Sequence, residues 1–180
     1  MKLLITGSYG QLGNELTKIL KNGRAEIGEI SPAYSGCEII AVDYDTLDIT
    51  DKDAVQAFIQ EHQPDIIFNC AAMTNVDQCE TDFETAMKVN AIGPRNLARA
   101  AKQTGAKLVH VSTDYVFSGT QATPRCEWDL CAPNTVYGKS KLLGERYAME
   151  QCPNTFVVRT AWLYGYVGKN FVKTMLRLGK

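Results

Sequence analysis

Apolar positions along the 180-residue chain fall into two alternating kinds of segment. Short β-branched or apolar runs at 3–6, 38–43, 65–69, 107–112 and 155–159 read as strands, and such runs suggest a buried parallel sheet. Between them, helical patterns run over 11–21, 51–61, 83–103 and 137–150, with a further one over 171–180. Thr50-Asp51-Lys52-Asp53 offers side-chain acceptors at the start of the second helix. Gly23, Pro64, Gly105 and Pro153 each stand between a helix and the next strand. Repeated β-α-β order predicts an α/β fold, a doubly wound parallel sheet with helices on both faces. Two long connections interrupt it. Residues 22–37, rich in Gly, Ser and Pro, read in part as an irregular loop, and 118–135 follows a strand end, where binding residues collect.

Composition narrows the picture modestly. A hydrophobic fraction of 45% and a charged fraction of 22% predict one globular domain over residues 1–180. The 19 basic and 20 acidic residues are dispersed and leave a net charge of -1, so neither nucleic acid nor an anionic membrane is an expected partner. Six cysteines form no C-x-x-C pair and only two histidines are present, so no metal-ligand spacing arises and the thiols read as reduced. The opening apolar run is too short for a signal-peptide core, which makes a cytoplasmic location the expectation.

Candidate chemistry begins at Gly7-Ser8-Tyr9-Gly10-Gln11-Leu12-Gly13, between the first strand and the first helix. Glycines there permit a tight turn and close approach of a pyrophosphate, while the helix start offers unpaired N–H groups, as in Rossmann-type NAD(P)-binding domains. The spacing is G-x-x-G-x-x-G rather than G-x-G-x-x-G. Asp43 ends the second strand, where a carboxylate would hold the adenosine ribose hydroxyls and repel a 2′-phosphate, favouring NAD. Asp48 and Ile49 follow it as candidate adenine contacts.

Tyr137 and Lys141, four apart near a helix start, share one face. A phenol with an ordinary pKa of ~10 exchanges protons poorly at neutral pH, and a neighbouring ammonium is expected to lower that value. Y-x-x-x-K is a weak pattern alone. It gains weight from Thr113, placed at the carboxyl end of the fourth strand, where doubly wound sheets bind ligands and a hydroxyl would help polarise a carbonyl. Asn90 reads either as a buried structural amide or as a residue positioning Lys141 through water, and Trp162 as a pocket wall or a packing residue. His110, inside a strand, reads as a packed histidine, and Cys126 and Cys131 as loop residues without chemistry.

Taken together, these segments and Leu47-Asp48-Ile49-Thr50, Asn69-Cys70-Ala71-Ala72-Met73-Thr74-Asn75-Val76-Asp77, Ser112-Thr113-Asp114-Tyr115-Val116-Phe117-Ser118-Gly119, Tyr137-Gly138-Lys139-Ser140-Lys141-Leu142-Leu143-Gly144-Glu145 and Arg159-Thr160-Ala161-Trp162-Leu163-Tyr164-Gly165 resemble the dTDP-4-dehydrorhamnose reductases, of the extended short-chain dehydrogenase/reductase superfamily. The likeness spans essentially the whole chain. It implies hydride transfer from NADPH or NADH to the C4 ketone of dTDP-4-dehydro-L-rhamnose, giving dTDP-L-rhamnose. It also implies roles: Gly10, Gln11 and Leu12, within the turn whose outer glycines Gly7 and Gly13 complete the cofactor site, at the cofactor pyrophosphate, and Asp48 and Ile49 at the adenine. Ala72, Met73 and Thr74 then belong to the ribose-nicotinamide side, with Ala71 a further cofactor contact, Thr113, Tyr137 and Lys141 to catalysis, and Asp114 and Trp162 to the nucleotide-sugar. The resemblance further implies a possible homodimer, Mg2+ at a dimer contact in some members, and a substrate domain downstream of residue 180. Two alternatives stay open: a non-catalytic NADP-binding regulatory protein resembling the β subunit of methionine adenosyltransferase, and a reductase or epimerase of another nucleotide-sugar. Cofactor oxidation by the sugar ketone separates the first from a reductase.

Overall fold

The apolar runs pair as their pattern predicts. In a computed structural model that describes residues 1–179, the chain runs β1 (Lys2–Thr6), α1 (Gln11–Asn22), β2 (Arg24–Ala25), β3 (Gly28–Glu29), β4 (Glu38–Val42), α2 (Lys52–His62) and β5 (Ile66–Asn69). It continues through α3 (Val76–Thr81), α4 (Phe83–Met87), α5 (Gly93–Thr104), β6 (Lys107–Thr113), α6 (Val136–Gln151), β7 (Thr155–Thr160) and α7 (Phe171–Leu178). Five strands form one parallel sheet in the order β4-β1-β5-β6-β7. On one face α2, α5 and α6 bury Leu4, Val55, Ile59, Ile67, Leu97, Leu108 and Ala148. On the other, Leu16 and Leu20 of α1 cover Leu3, Ile5, Ile39 and Phe68, while Phe156 and Val158 of β7 remain exposed.

The 22–37 connection is more ordered than an irregular loop. It holds the small antiparallel hairpin β2–β3 and a 3-10 turn at Pro32–Tyr34, and Ile30, Tyr34 and Cys37 pack on the α1 face of the sheet. At the other end, the helical pattern expected to 180 forms α7 as far as Leu178, and Lys180 lies outside the described residues.

The single helix expected over 83–103 is broken into α4, a π-helical turn at Lys88–Ile92 and α5. Proline causes the break: Pro94 has no N–H for the carbonyl of Asn90, its i−4 acceptor. That carbonyl instead lies against α6, where a Cβ added at Gly144 would come within 2.1 Å of it. Gly144→Ala must therefore push α5 and α6 apart, and is expected to cost about 2 kcal/mol of stability. Its denaturant midpoint against that of the unaltered chain measures this, and an unchanged midpoint would mean the two helices are not in tight contact.

Candidate active site

Parallel strands leave their loops at one edge, so Gly7 after β1, Cys70 after β5 and Thr113 at the tip of β6 meet outside the carboxyl ends of the sheet. Gly7 has φ +66°, and a Cβ there would sit 2.6 Å from the amide nitrogen of Ala71. The turn is therefore closed to any side chain. Gly10 caps α1 without a side-chain acceptor, and the first-turn N–H groups of Gln11, Leu12 and Gly13 have no intrahelical partner. An uncapped helix start behind a glycine turn fits a diphosphate.

Two clefts that share Gly10, Cys70 and Ala72 form one groove across this edge. The smaller, ≈ 220 Å³, is lined by Gly7, Asp43, Asp48, Ile49 and Ala71. The larger, ≈ 580 Å³, is lined by Gln11, Leu12, Thr74, Thr113, Asp114, Tyr137, Lys141 and Trp162. Gly13 and Met73 are the two predicted site residues that line neither. Gly13 is buried beneath the turn, and the Met73 side chain packs with Cys79, Ala86 and Tyr137. Asp43 accepts hydrogen bonds from the amides of Tyr9 (2.8 Å) and Tyr44 (2.9 Å), which fixes its carboxylate between the glycine turn and the second loop. Asp48 accepts from the Thr50 amide at 2.8 Å, and the Ile49 side chain is buried.

Helix α6 brings in the phenol and the ammonium. Thr135 caps it by accepting from the Gly138 amide at 3.0 Å, and Glu80 accepts from the Val136 amide at 2.7 Å. Asn90 is a fully buried amide: it accepts from the Met73 amide (2.9 Å) and donates to the Met73 carbonyl (2.9 Å) and Ser140 Oγ (3.0 Å). One side chain thus ties the loop after β5 to α6, one residue from Lys141. The Lys141 ammonium donates to the Val111 carbonyl at 2.7 Å and is 2% exposed.

Electrostatics depart from the expectation for Tyr137. Burial pushes its pKa up, the Thr113 hydroxyl lowers it, and Asp114 raises it further. Lys141 is not among the groups that shift Tyr137, and its ammonium is engaged with a strand carbonyl. Lys141 is brought down to about 8 by burial, opposed by the negative charge of Glu145. Burial takes the Cys70 thiol up to about 12, so it stays neutral. His110 is pushed well below its usual value by burial and by Lys141. Its Nδ1 lies 3.0 Å from Asn69 Nδ2, which must donate because Asn69 Oδ1 accepts from Thr6 Oγ1 (2.8 Å) and the Ala71 amide (3.2 Å). His110 is a packed, neutral histidine.

Residue reasoning gave Glu145 and Arg159 no role. Glu145 is 0% exposed, accepts from Ser112 Oγ at 2.5 Å, and receives Arg159 Nε at 3.0 Å and an Arg159 terminal nitrogen at 2.6 Å. It anchors the strand tip that carries Thr113 to helix α6 and strand β7. The legible signal was its i,i+4 spacing from Lys141. Among the described residues no group of three or more His, Cys, Asp or Glu converges as a metal site, so the magnesium expectation gains no support, and no helix is long and apolar enough to cross a membrane.

Residues 1–180 match the family model described as the RmlD substrate binding domain. A dTDP-4-dehydrorhamnose reductase of Aggregatibacter actinomycetemcomitans is 45% identical over 99% of this chain and 57% of its own length. A crystal structure of a dTDP-4-dehydrorhamnose reductase from Clostridium acetobutylicum superposes with a TM-score of 0.91 at 48% identity, over 99% of this chain and 59% of that one. The Bacillus anthracis dTDP-4-dehydrorhamnose reductase, solved in complex with NADP, gives 0.88 at 45% identity over the same shares. The chain thus spans little more than half the length of these relatives. Because Glu145 opposes the loss of charge on Lys141, Glu145→Gln is expected to move the lysine titration below its value of about 8. The 13Cε shift of Lys141 followed against pH measures this, and an unmoved or upward midpoint would contradict it.

Proposed function

The chain belongs to the RmlD substrate binding domain family, and on that premise we propose that it is the dinucleotide-binding part of a reductase of dTDP-4-dehydro-L-rhamnose. One observation carries the reading. A buried phenol, a buried ammonium and a strand-tip hydroxyl open into the same cleft as an uncapped, glycine-led helix start. Relatives named as reductases of this sugar support the substrate, and the NADP complex of one supports the cofactor class.

A bound NADH or NADPH would supply the hydride that adds to the C4 carbonyl carbon, leaving dTDP-L-rhamnose and the oxidised dinucleotide. The chain's own work is to bind, orient and protonate. The glycine turn and the first-turn amides of α1 receive the cofactor diphosphate. Lys141, with one proton given to Val111, retains two for ribose hydroxyls. Tyr137 holds the ketone oxygen together with Thr113 and gives it the phenol proton as negative charge develops. A raised pKa suits that role, because the phenol stays protonated until the oxygen becomes more basic than itself. Once the proton has moved, a cation one helical turn away favours the phenolate. Asp114 and Trp162 line the sugar side of the cleft. A cytoplasmic setting is supported by six cysteines that all remain free thiols.

Asp43 and Asp48 are the charged lining residues at the adenosine end, with no Lys, Arg or His among that lining. Two carboxylates repel a 2′-phosphate, so both cofactors are accepted and NADH is preferred by a factor on the order of 10. Fluorescence titration measures the ratio, which Asp43→Asn should reduce, and tighter NADPH binding by the unaltered chain would contradict this assignment. Where substrate is turned over, Tyr137→Phe should lower kcat on the order of 10³-fold with little change in cofactor Kd. Near-normal turnover would remove Tyr137 from the chemistry. Cofactor affinity should also fall as pH rises through about 8, where Lys141 loses its charge, and a flat affinity across that range would separate Lys141 from the ribose.

A further inference from the structure

The main chain of Gln11 sits in the first turn of α1, and its side chain is engaged elsewhere. Its Nε2 donates to the Leu163 carbonyl at 2.9 Å, and its Oε1 accepts from Asn170 Nδ2 at 3.0 Å. Both ends of one amide therefore hold the segment 161–170, which leaves the sheet at β7. Asn170 also donates to the Gly165 carbonyl at 2.8 Å, and a Cβ on Gly165 would meet Gln11 Cγ at 2.8 Å, so the contact is as close as a glycine allows. A second anchor lies farther along, where the Tyr166 hydroxyl donates to Glu26 at 2.6 Å, beside the β2–β3 hairpin. Lys173 donates to the carbonyls of Tyr166 and Gly168 and stiffens the stretch between. The segment crosses from the edge strand back to the first helix.

Lys169 lies on this strap and lines the larger cleft together with Gly10, Gln11 and Leu12. The cleft has two lysines in its wall. Lys141 is buried and bound to Val111, whereas Lys169 is exposed and forms no ion pair among the described residues. A diphosphate settled on the α1 start meets N–H groups on one side only, and an ammonium across the cleft supplies the missing charge.

We propose that Lys169 is a diphosphate-binding residue, held at the glycine turn by the Gln11 amide acting as a latch. This rests on the dinucleotide reading above and adds a residue to it. Two ligands of that reading carry a diphosphate, the dinucleotide and the nucleotide-sugar, and the chemistry of recognition is common to both.

The test titrates the chain separately with NADH and with dTDP, comparing Lys169→Ala, Gln11→Ala, the double variant and, as a charge-matched control on α5, Lys102→Ala. Lys169→Ala should weaken one ligand about tenfold and flatten its dependence on salt, with Lys102→Ala unchanged. Loss confined to NADH assigns the cofactor diphosphate, and loss confined to dTDP assigns that of the sugar nucleotide. Gln11→Ala should lose part of the same affinity, and the double variant should fall short of the product of the two losses, because the latch acts through Lys169. Unaltered binding of both ligands by Lys169→Ala, with the unaltered chain binding NADH, would overturn the proposal and leave the dinucleotide reading standing. No NADH binding by the unaltered chain would overturn both.

Discussion

Asn90 is the side chain on which the arrangement of the cleft depends. Its amide joins the loop after β5 to helix α6 through Met73 and Ser140, and its carbonyl, which Pro94 cannot satisfy, lies against Gly144. A buried amide left without these partners would cost about 1–3 kcal/mol, which makes the set of contacts close to all-or-none. With the set complete, α6 approaches α5 at glycine distance, and its first turn presents Tyr137 and Lys141 to the tip of β6. The π turn is the local price of that approach.

Charge in the cleft is then organised by burial. Glu145 and Arg159 form a bidentate pair that also holds Ser112 next to Thr113, and Glu145 lies one turn beyond Lys141. Cys70 and His110 approach the same lysine, and burial keeps both neutral. One ammonium near its titration point, a phenol kept protonated and a fixed hydroxyl make a site suited to neutralising charge that develops on a carbonyl oxygen. The phenol and the ammonium come from one helix, so their spacing is fixed by backbone geometry rather than by flexible loops.

Much of this was legible in the chain. Apolar runs located all five strands of the sheet, because a strand buried on both faces has little freedom of composition, and the glycine turn and the Tyr137–Lys141 pair point to residues that line one cleft. What stayed hidden depends on contacts distant in sequence. The π turn needs Gly144, 50 residues beyond Pro94 by the numbering, to make room for a carbonyl that proline frees. The raised pKa of Tyr137 reflects its depth of burial, which spacing does not encode. Glu145 looked like one more helix-face acid until Arg159 and Ser112 came in from neighbouring strands, and the Gln11 side chain bonds to Leu163 and Asn170, more than 150 residues away, which the glycine turn alone does not encode.

The most direct measurement of the central claim is a crystal structure of the chain grown with NADH. The account predicts the diphosphate over the first turn of α1, the adenosine beside Asp43, and the nicotinamide end in the cleft formed by Thr113, Tyr137 and Lys141. A dinucleotide bound elsewhere, or one whose nicotinamide points away from those three side chains, would contradict it.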